Sequence, residues 1–202
     1  TRCVASLLMA EKGGDHVVIE TAAGLLDADK GGGELISVDM GRARLDWRDI
    51  PLEQATDTLH LLISEKGLSD GCAVNMGNPH LVFFVEDVEA VPLDVVGPRL
   101  ERHKMFPQRT NVGIAQVIAP DRLRLRVWER GAGITQACGS GACAALVAAN
   151  RRGLCDKKAE IELDGGILAI EWLNDEHVLM TGPVATSFHG TLDRALLGGD
   201  GA

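Results

Sequence analysis

The chain has 202 residues, enough for one large domain or two small ones with a substantial core. Hydrophobic residues at 46% and charged residues at 24% describe an ordinary globular composition, and no apolar run approaches the roughly 20 residues of a membrane span. A net charge of −9 argues against a nucleic-acid partner, which wants a basic patch.

Residues 2–11 predict a first helix. "HLVFFV" (80–85) is a continuous apolar run and predicts a strand. A second helix is expected over 94–105, where Leu100, Lys104 and Met105 fall near helical spacing before Phe106-Pro107 ends it. "RLRLRVWE" (122–129) alternates with period two, with Arg122, Arg124 and Arg126 on a solvated face. A third helix is expected over 141–151, and "AEIELDGGILAIEW" (159–172) reads as two strands around Asp-Gly-Gly. The fold class that follows is a β-rich α+β protein.

The chain also repeats itself. "RCVASLLMAEKGG" (2–14) lies over "ACAALVAANRRGL" (142–154), with cysteine at the same point and a helix-ending glycine at Gly13 and Gly153. Two residues of slippage later, "VIETAAGLLDA" (18–28) matches "EIELDGGILAI" (160–170), each a strand, a small-residue turn and a strand. Helix then hairpin, twice, predicts two related halves, each a sheet wrapped on a helix. The second copy opens with Cys138-Gly139-Ser140-Gly141, while the first copy's equivalents would precede Thr1. On this reading the chain starts in the middle of its first unit.

Five cysteines (Cys3, Cys72, Cys138, Cys143 and Cys155) are an odd count, a poor disulfide framework that fits a reducing cytoplasm. They lack a Cys-x-x-Cys pair, so a metal site is not expected. Cys138 stands at the mouth of the third helix between glycines. Unpaired backbone N–H groups and the helix dipole there favour thiolate over thiol, and the same N–H groups at Gly139 and Gly141 can hold a carboxylate or an oxyanion. Cys3 and Cys143 are expected inside apolar helix faces, leaving Cys138 the most reactive thiol. A small buried cysteine in a tight turn explains this motif equally well. Other stretches add polar groups: Asn78 and His80 in a Gly/Pro turn, Asn111 in a polar turn, and Glu129-Arg130 at a strand end before two glycines. Together they offer an arginine fork for a carboxylate, amide groups, and a thiol with His and Glu to tune it.

The combination "GNPHLVFFV", "FPQRTNVG", "VWERGAGITQACGSGACAA" and "LMTGPVATSFHG" resembles the diaminopimelate epimerase family, in order and over essentially the whole chain. That resemblance implies cofactor-independent inversion of an amino-acid α-carbon, LL- to meso-diaminopimelate, by two thiols acting as base and acid from opposite faces. It implies an α+β fold of two pseudo-symmetric domains, each a curled sheet around a central helix, with the substrate between them. Divided accordingly, 1–37 is the remainder of a first domain, 38–183 the second, and 184–202 a segment returning to the first. Cys138 becomes one catalytic cysteine, and His80 and Glu129 the groups that influence its ionisation. Asn78, Asn111, Glu129, Arg130 and the backbone amides of Gly139 and Ser140 become substrate contacts. Phe188 falls where the family has an aromatic residue, commonly tyrosine, at a dimer contact. The partner thiol opens a Cys-Gly-Asn-Gly motif that runs into residues like Thr1-Arg2-Cys3, and Cys3 matches Cys143 rather than Cys138. The 202 residues alone are therefore expected to be inactive. A homodimer in the cytoplasm, acting on a small molecule without cofactor, metal, nucleic acid or membrane, completes the implied picture. The rival readings are a proline racemase or hydroxyproline epimerase, and a non-catalytic thiol-containing ligand-binding domain.

Overall fold

The structure, a computed structural model, describes residues 1–21 and 24–193. Helix α1 (Arg2–Lys12) ends at Gly13, whose φ of 70° is the left-handed conformation that lets the chain leave the helix and turn back. It buries Ala5 and Met9 against the three-stranded meander β1 (His16–Thr21), β2 (Gly24–Lys30) and β3 (Leu35–Arg42). A long connection leads to β4 (Cys72–Asn75), β5 (Pro79–Phe84), α2 (Leu93–Glu101), β6 (Asn111–Ala119), β7 (Arg122–Glu129) and the short β8 (Gly133–Thr135). Helix α3 (Gly139–Arg151) is followed by β9 (Lys158–Leu163), β10 (Gly166–Trp172) and β11 (His177–Pro183).

Among the described residues all eleven strands belong to one curled sheet, ordered β1-β2-β3-β11-β10-β9-β7-β6-β5-β4 with β8 attached to β7. Pairing is antiparallel except at β5–β6 and β7–β9. The sheet curls around α3, which touches β4 to β7 and β9 to β11, and every residue from Ala142 to Ala149 is fully enclosed. An alanine-rich helix suits this place. Small side chains let strands approach from all sides, while alanine holds the helix by propensity. The opposite face of β4–β6 carries a second core, in which Ile50, Leu61 and Ile63 pack on Leu81, Phe83 and the α2 residues Leu93, Val96 and Leu100.

The expected repeat is present in three dimensions. Gly24 and Gly166 enter the second strand of each hairpin at φ 124° and 137°, and Gly13 and Gly153 leave their helices at 70° and 68°. The offset that lays Gly24 on Gly166 also lays β3 on β11 and Val38 on Met180. Those two residues are partners in the β3–β11 register. A local two-fold axis therefore passes through the Val38–Met180 pair and relates α1-β1-β2-β3 to α3-β9-β10-β11. The starts of both helices meet there: Arg2 Nη1 donates to Met180 Sδ at 3.5 Å, and a Cβ on Gly139 would stand 2.8 Å from the same sulfur.

Three details differ from the sequence reading. Helix α2 stops at Glu101 rather than near 105, because the Glu101 carbonyl accepts from Thr110 N–H and Met105 N–H turns to His103 Nδ1. Helix α3 begins two residues early, with Cys138 as its N-cap. Arg124 and Arg126 are mostly covered rather than solvated, at 18% side-chain exposure each. Arg124 pairs with Glu89 and Asp164, while Arg126 reaches Glu89 and the Val88 carbonyl.

Candidate active site

Cys138 sits in extended backbone at the mouth of α3, 5% exposed. The first intrahelical bond runs from Ala142 N–H to the Cys138 carbonyl (2.9 Å), so the N–H groups of Gly139, Ser140 and Gly141 have no partner within the helix. The glycines here serve close packing. A Cβ on Gly139 would collide with Met180, and one on Gly141 would stand 3.2 Å from Cys138 Sγ.

The thiol is pushed up to about 11, first by burial and then by the Glu129 carboxylate beside it. This corrects the expectation of a depressed pKa. The Ser140 hydroxyl, 3.7 Å from the sulfur, and the Gly141 N–H do favour thiolate. That N–H approaches too loosely to form a side-chain cap, and the pair is outweighed by desolvation and a neighbouring negative charge. At rest Cys138 holds its proton against Glu129. Glu129 closes β7, where the Thr135 hydroxyl donates to its Oε1 at 2.5 Å. Thr135 was not singled out in the sequence, although its place between Gly133 and Cys138 made it a candidate.

His80 lies in β5, 1% exposed. Its Nε2 is 2.9 Å from Asn78 Oδ1 and 3.1 Å from Ser140 Oγ. An amide oxygen only accepts, so the ring proton belongs on Nε2. Ser140 can then accept from His80 and turn its own proton toward Cys138 Sγ. Burial, reinforced by the Arg130 guanidinium, lowers the His80 pKa to about 3. The ring is neutral at pH 7.

Asn111 opens β6 as a buried strand residue, not the polar turn expected, and pairs with His80 in the parallel β5–β6 register. Its Nδ2 donates to the Pro79 carbonyl (3.0 Å) and its Oδ1 accepts from Arg130 N–H (2.9 Å). Asn111 thus fixes the Arg130 backbone. Arg130 Nη1 donates to the Gln108 carbonyl at 2.8 Å, and its side chain is exposed. The structure therefore gathers Asn78, His80, Asn111, Glu129, Arg130, Cys138 and Ser140 around one end of α3. A cavity of 510 Å³ bounded by Met40, Arg42, Arg44, Asp49 and Gly77 is lined by none of the side chains in this cluster. Phe188 does not join it: the ring is 83% exposed beyond β11 and lines a separate cavity with Cys3 and Leu7.

Cys143 is enclosed in α3 as expected, but Cys3 is exposed. An alkylating reagent therefore meets Cys3 before Cys138, contrary to the order expected from sequence. Among the described residues, Cys138 is the thiol that reaches the cluster; Cys72 and Cys155 are buried in the main core.

These environments set a pH window for stability. His80 is depressed from 6.5 to about 3, so unfolding takes up a proton between those values and stability falls as pH drops below about 6.5. Cys138 and Cys155 are raised from 9.0 to about 11, so unfolding releases protons and stability falls above about 9. Urea midpoints measured across pH should show a plateau between these limits, and His80→Asn should flatten the acid limb. An unchanged acid limb in that variant would place the proton uptake elsewhere.

Comparison with known proteins shows the family. The family described as diaminopimelate epimerase matches residues 72–187. The diaminopimelate epimerase of Rhodospirillum centenum is 60% identical over 199 residues, covering 98% of this chain and 68% of the relative. That of Acidiphilium cryptum is 54% identical, covering 98% of this chain and 71% of the relative. The fold is shared more widely. A hydroxyproline epimerase from Agrobacterium vitis superposes with a TM-score of 0.62 at 14% identity, covering 90% of this chain and 62% of that one. A PhzF-family phenazine biosynthesis protein from Enterococcus faecalis does so at 0.59 and 13%, covering 89% and 66%. The curled sheet is common to several chemistries, but the cysteine, histidine and Glu-Arg cluster sits inside a sequence match that belongs to one of them: this chain is a member of the diaminopimelate epimerase family, and an isomerase.

Proposed function

We propose that this site inverts the α-carbon of diaminopimelate, LL to meso and back, with Cys138 transferring the proton on one face. The observation that carries the reading is a buried thiol held between a carboxylate and the open N-terminus of α3. An amino-acid α-proton is weakly acidic, so the developing charge needs stabilising where it forms. The N–H groups of Gly139 and Ser140 and the Arg130 guanidinium supply that to the substrate carboxylate, with Asn78 and Asn111 as amide contacts. When substrate displaces water from the cluster, its ammonium group offsets the Glu129 charge that opposes the thiolate. Cys138 then removes the proton from one stereoisomer, or delivers one to the other. Neutral His80 steadies Ser140 against the sulfur. Inversion also requires an acid/base group on the far face, and the convergence of the α1 and α3 starts over Met180 makes the head of α1 the side from which we propose it acts. On this reading the step runs on acid/base side chains without pyridoxal phosphate. The exposed Phe188 ring is the proposed contact of a homodimer, and the cytoplasm the proposed compartment.

Offering LL-diaminopimelate, L-proline and trans-4-hydroxy-L-proline separately to the active enzyme tests the substrate. Inversion of diaminopimelate alone is expected. Faster inversion of either ring substrate would establish the racemase reading instead, and inversion of none, with ligand bound, the non-catalytic one.

A further inference from the structure

Glu101 is the last residue of α2 and 2% exposed, on a helix that otherwise buries Leu93, Val96, Gly97 and Leu100. A carboxylate is doubly disfavoured there: burial strips its hydration, and the C-terminal end of a helix repels negative charge. An apolar side chain would fill the place at less cost, so what the carboxylate holds is informative. Its Oε2 accepts from Trp128 Nε1–H at 2.7 Å. Its Oε1 is buried without a hydrogen bond and lies 3.6 Å from Arg109 Nη1. Its backbone carbonyl accepts from Thr110 N–H at 3.1 Å.

Both segments gripped by Glu101 end at the site. Trp128 precedes Glu129, the last residue of β7, and Arg130 just beyond it, and its ring packs so closely on α2 that a Cβ at Gly97 would fall 2.6 Å from it. Arg109 and Thr110 lead into Asn111. Arg109 adopts a left-handed backbone at φ 62°, a conformation that a side-chain-bearing residue keeps only where its surroundings hold it. Between these anchors Arg130 is fixed twice, by the Gln108 carbonyl on its guanidinium and by Asn111 Oδ1 on its backbone N–H. We propose that Glu101, clamped between Trp128 and Arg109, is a positioning residue that sets the register of the 108–111 loop against the end of β7 and so aims Arg130 at the substrate carboxylate. The inference rests on the substrate-binding reading of Arg130.

Glu101→Gln keeps an acceptor for Trp128 and removes the charge facing Arg109. Arg109→Gln breaks the same pair from its exposed side, so it carries the test if the buried variant fails to fold. Steady-state kinetics of the active enzyme on diaminopimelate should show KM raised about tenfold in each, with the smaller share of the loss in kcat, because Arg130 grips a carboxylate that is already charged before the proton moves and gains only part of its effect as further charge develops there. The double variant should be no worse than the weaker single. A lowered melting temperature with KM unchanged in both would make Glu101 merely structural and overturn the proposal. Arg130→Lys measured in parallel separates the two levels. If it raises KM while both other variants do not, the Glu101 inference fails alone; if Arg130→Lys leaves KM at the wild-type value, the Arg130 reading fails and takes this one with it.

Discussion

In the active enzyme, Cys138→Ala should abolish inversion of diaminopimelate while leaving the protein folded. Removing a group that transfers the proton in the transition state costs about 10²–10⁴-fold in rate. No other thiol among the described residues reaches the cluster to substitute for it. The fold should tolerate the change, since Cys138 lies at the cap of α3 rather than inside it, and the loss of one buried sulfur costs about 1 kcal/mol. Cys138→Ser should be as inactive as the alanine variant, because a serine hydroxyl in the same buried place beside Glu129 ionises far less readily than a thiol. Activity followed by chiral chromatography, beside urea denaturation, checks both halves. A Ser variant retaining a tenth or more of wild-type rate would mean that Cys138 only fills space.

Arg130→Lys should lower kcat/KM by about 10- to 100-fold. Hydrogen bonds to charged groups contribute about 1.5–3 kcal/mol, and an ammonium cannot reproduce the planar, two-armed grip of a guanidinium on a carboxylate. Part of the Arg130 guanidinium is committed to the Gln108 carbonyl, which orients the rest. A lysine loses that orientation as well. The proper control is Arg48→Lys, an exposed arginine stacked over Trp47. Arg124 is unsuitable, because its pairs with Glu89 and Asp164 join β7 to its surroundings. Equal and mild effects at positions 130 and 48 would remove Arg130 from the site.

Much of this site could be seen in the sequence because its residues cluster in short stretches at element ends. Gly-Asn-Pro-His, Glu-Arg-Gly and Cys-Gly-Ser-Gly each mark a turn into or out of a strand or helix, and the fold brings those ends together over α3. The repeat was legible for a similar reason. Left-handed glycines at 13, 24, 153 and 166 are fixed by backbone geometry and survive when side chains drift. What the sequence concealed was environment. A helix mouth argues for a low thiol pKa, yet the sheet curled over α3 buries Cys138 and puts Glu129 against it, and those long-range effects win. The exposure of Cys3 has the same origin, since only Ala5 and Met9 of α1 are buried. Helix α2 ends early because Thr110, nine residues further on, takes the carbonyl that the next turn would need. Periodicity within 94–105 carries no sign of that partner. Glu101 escaped notice because nothing local distinguishes it from the neighbouring charges at 102–104.

The central claim is that Cys138 serves one face of the substrate's α-carbon, and face-selective exchange in deuterated water tests it most directly. In the wild-type enzyme both LL- and meso-diaminopimelate should acquire deuterium at the α-carbon as they interconvert. In Cys138→Ala, the stereoisomer deprotonated from the Cys138 face should stop exchanging. The other can still lose its proton to the opposite group and regain a deuteron from it, exchanging without inverting. Mass spectrometry of the two isomers after separate incubation reads this out. Undiminished exchange of both isomers by the folded variant would contradict the account.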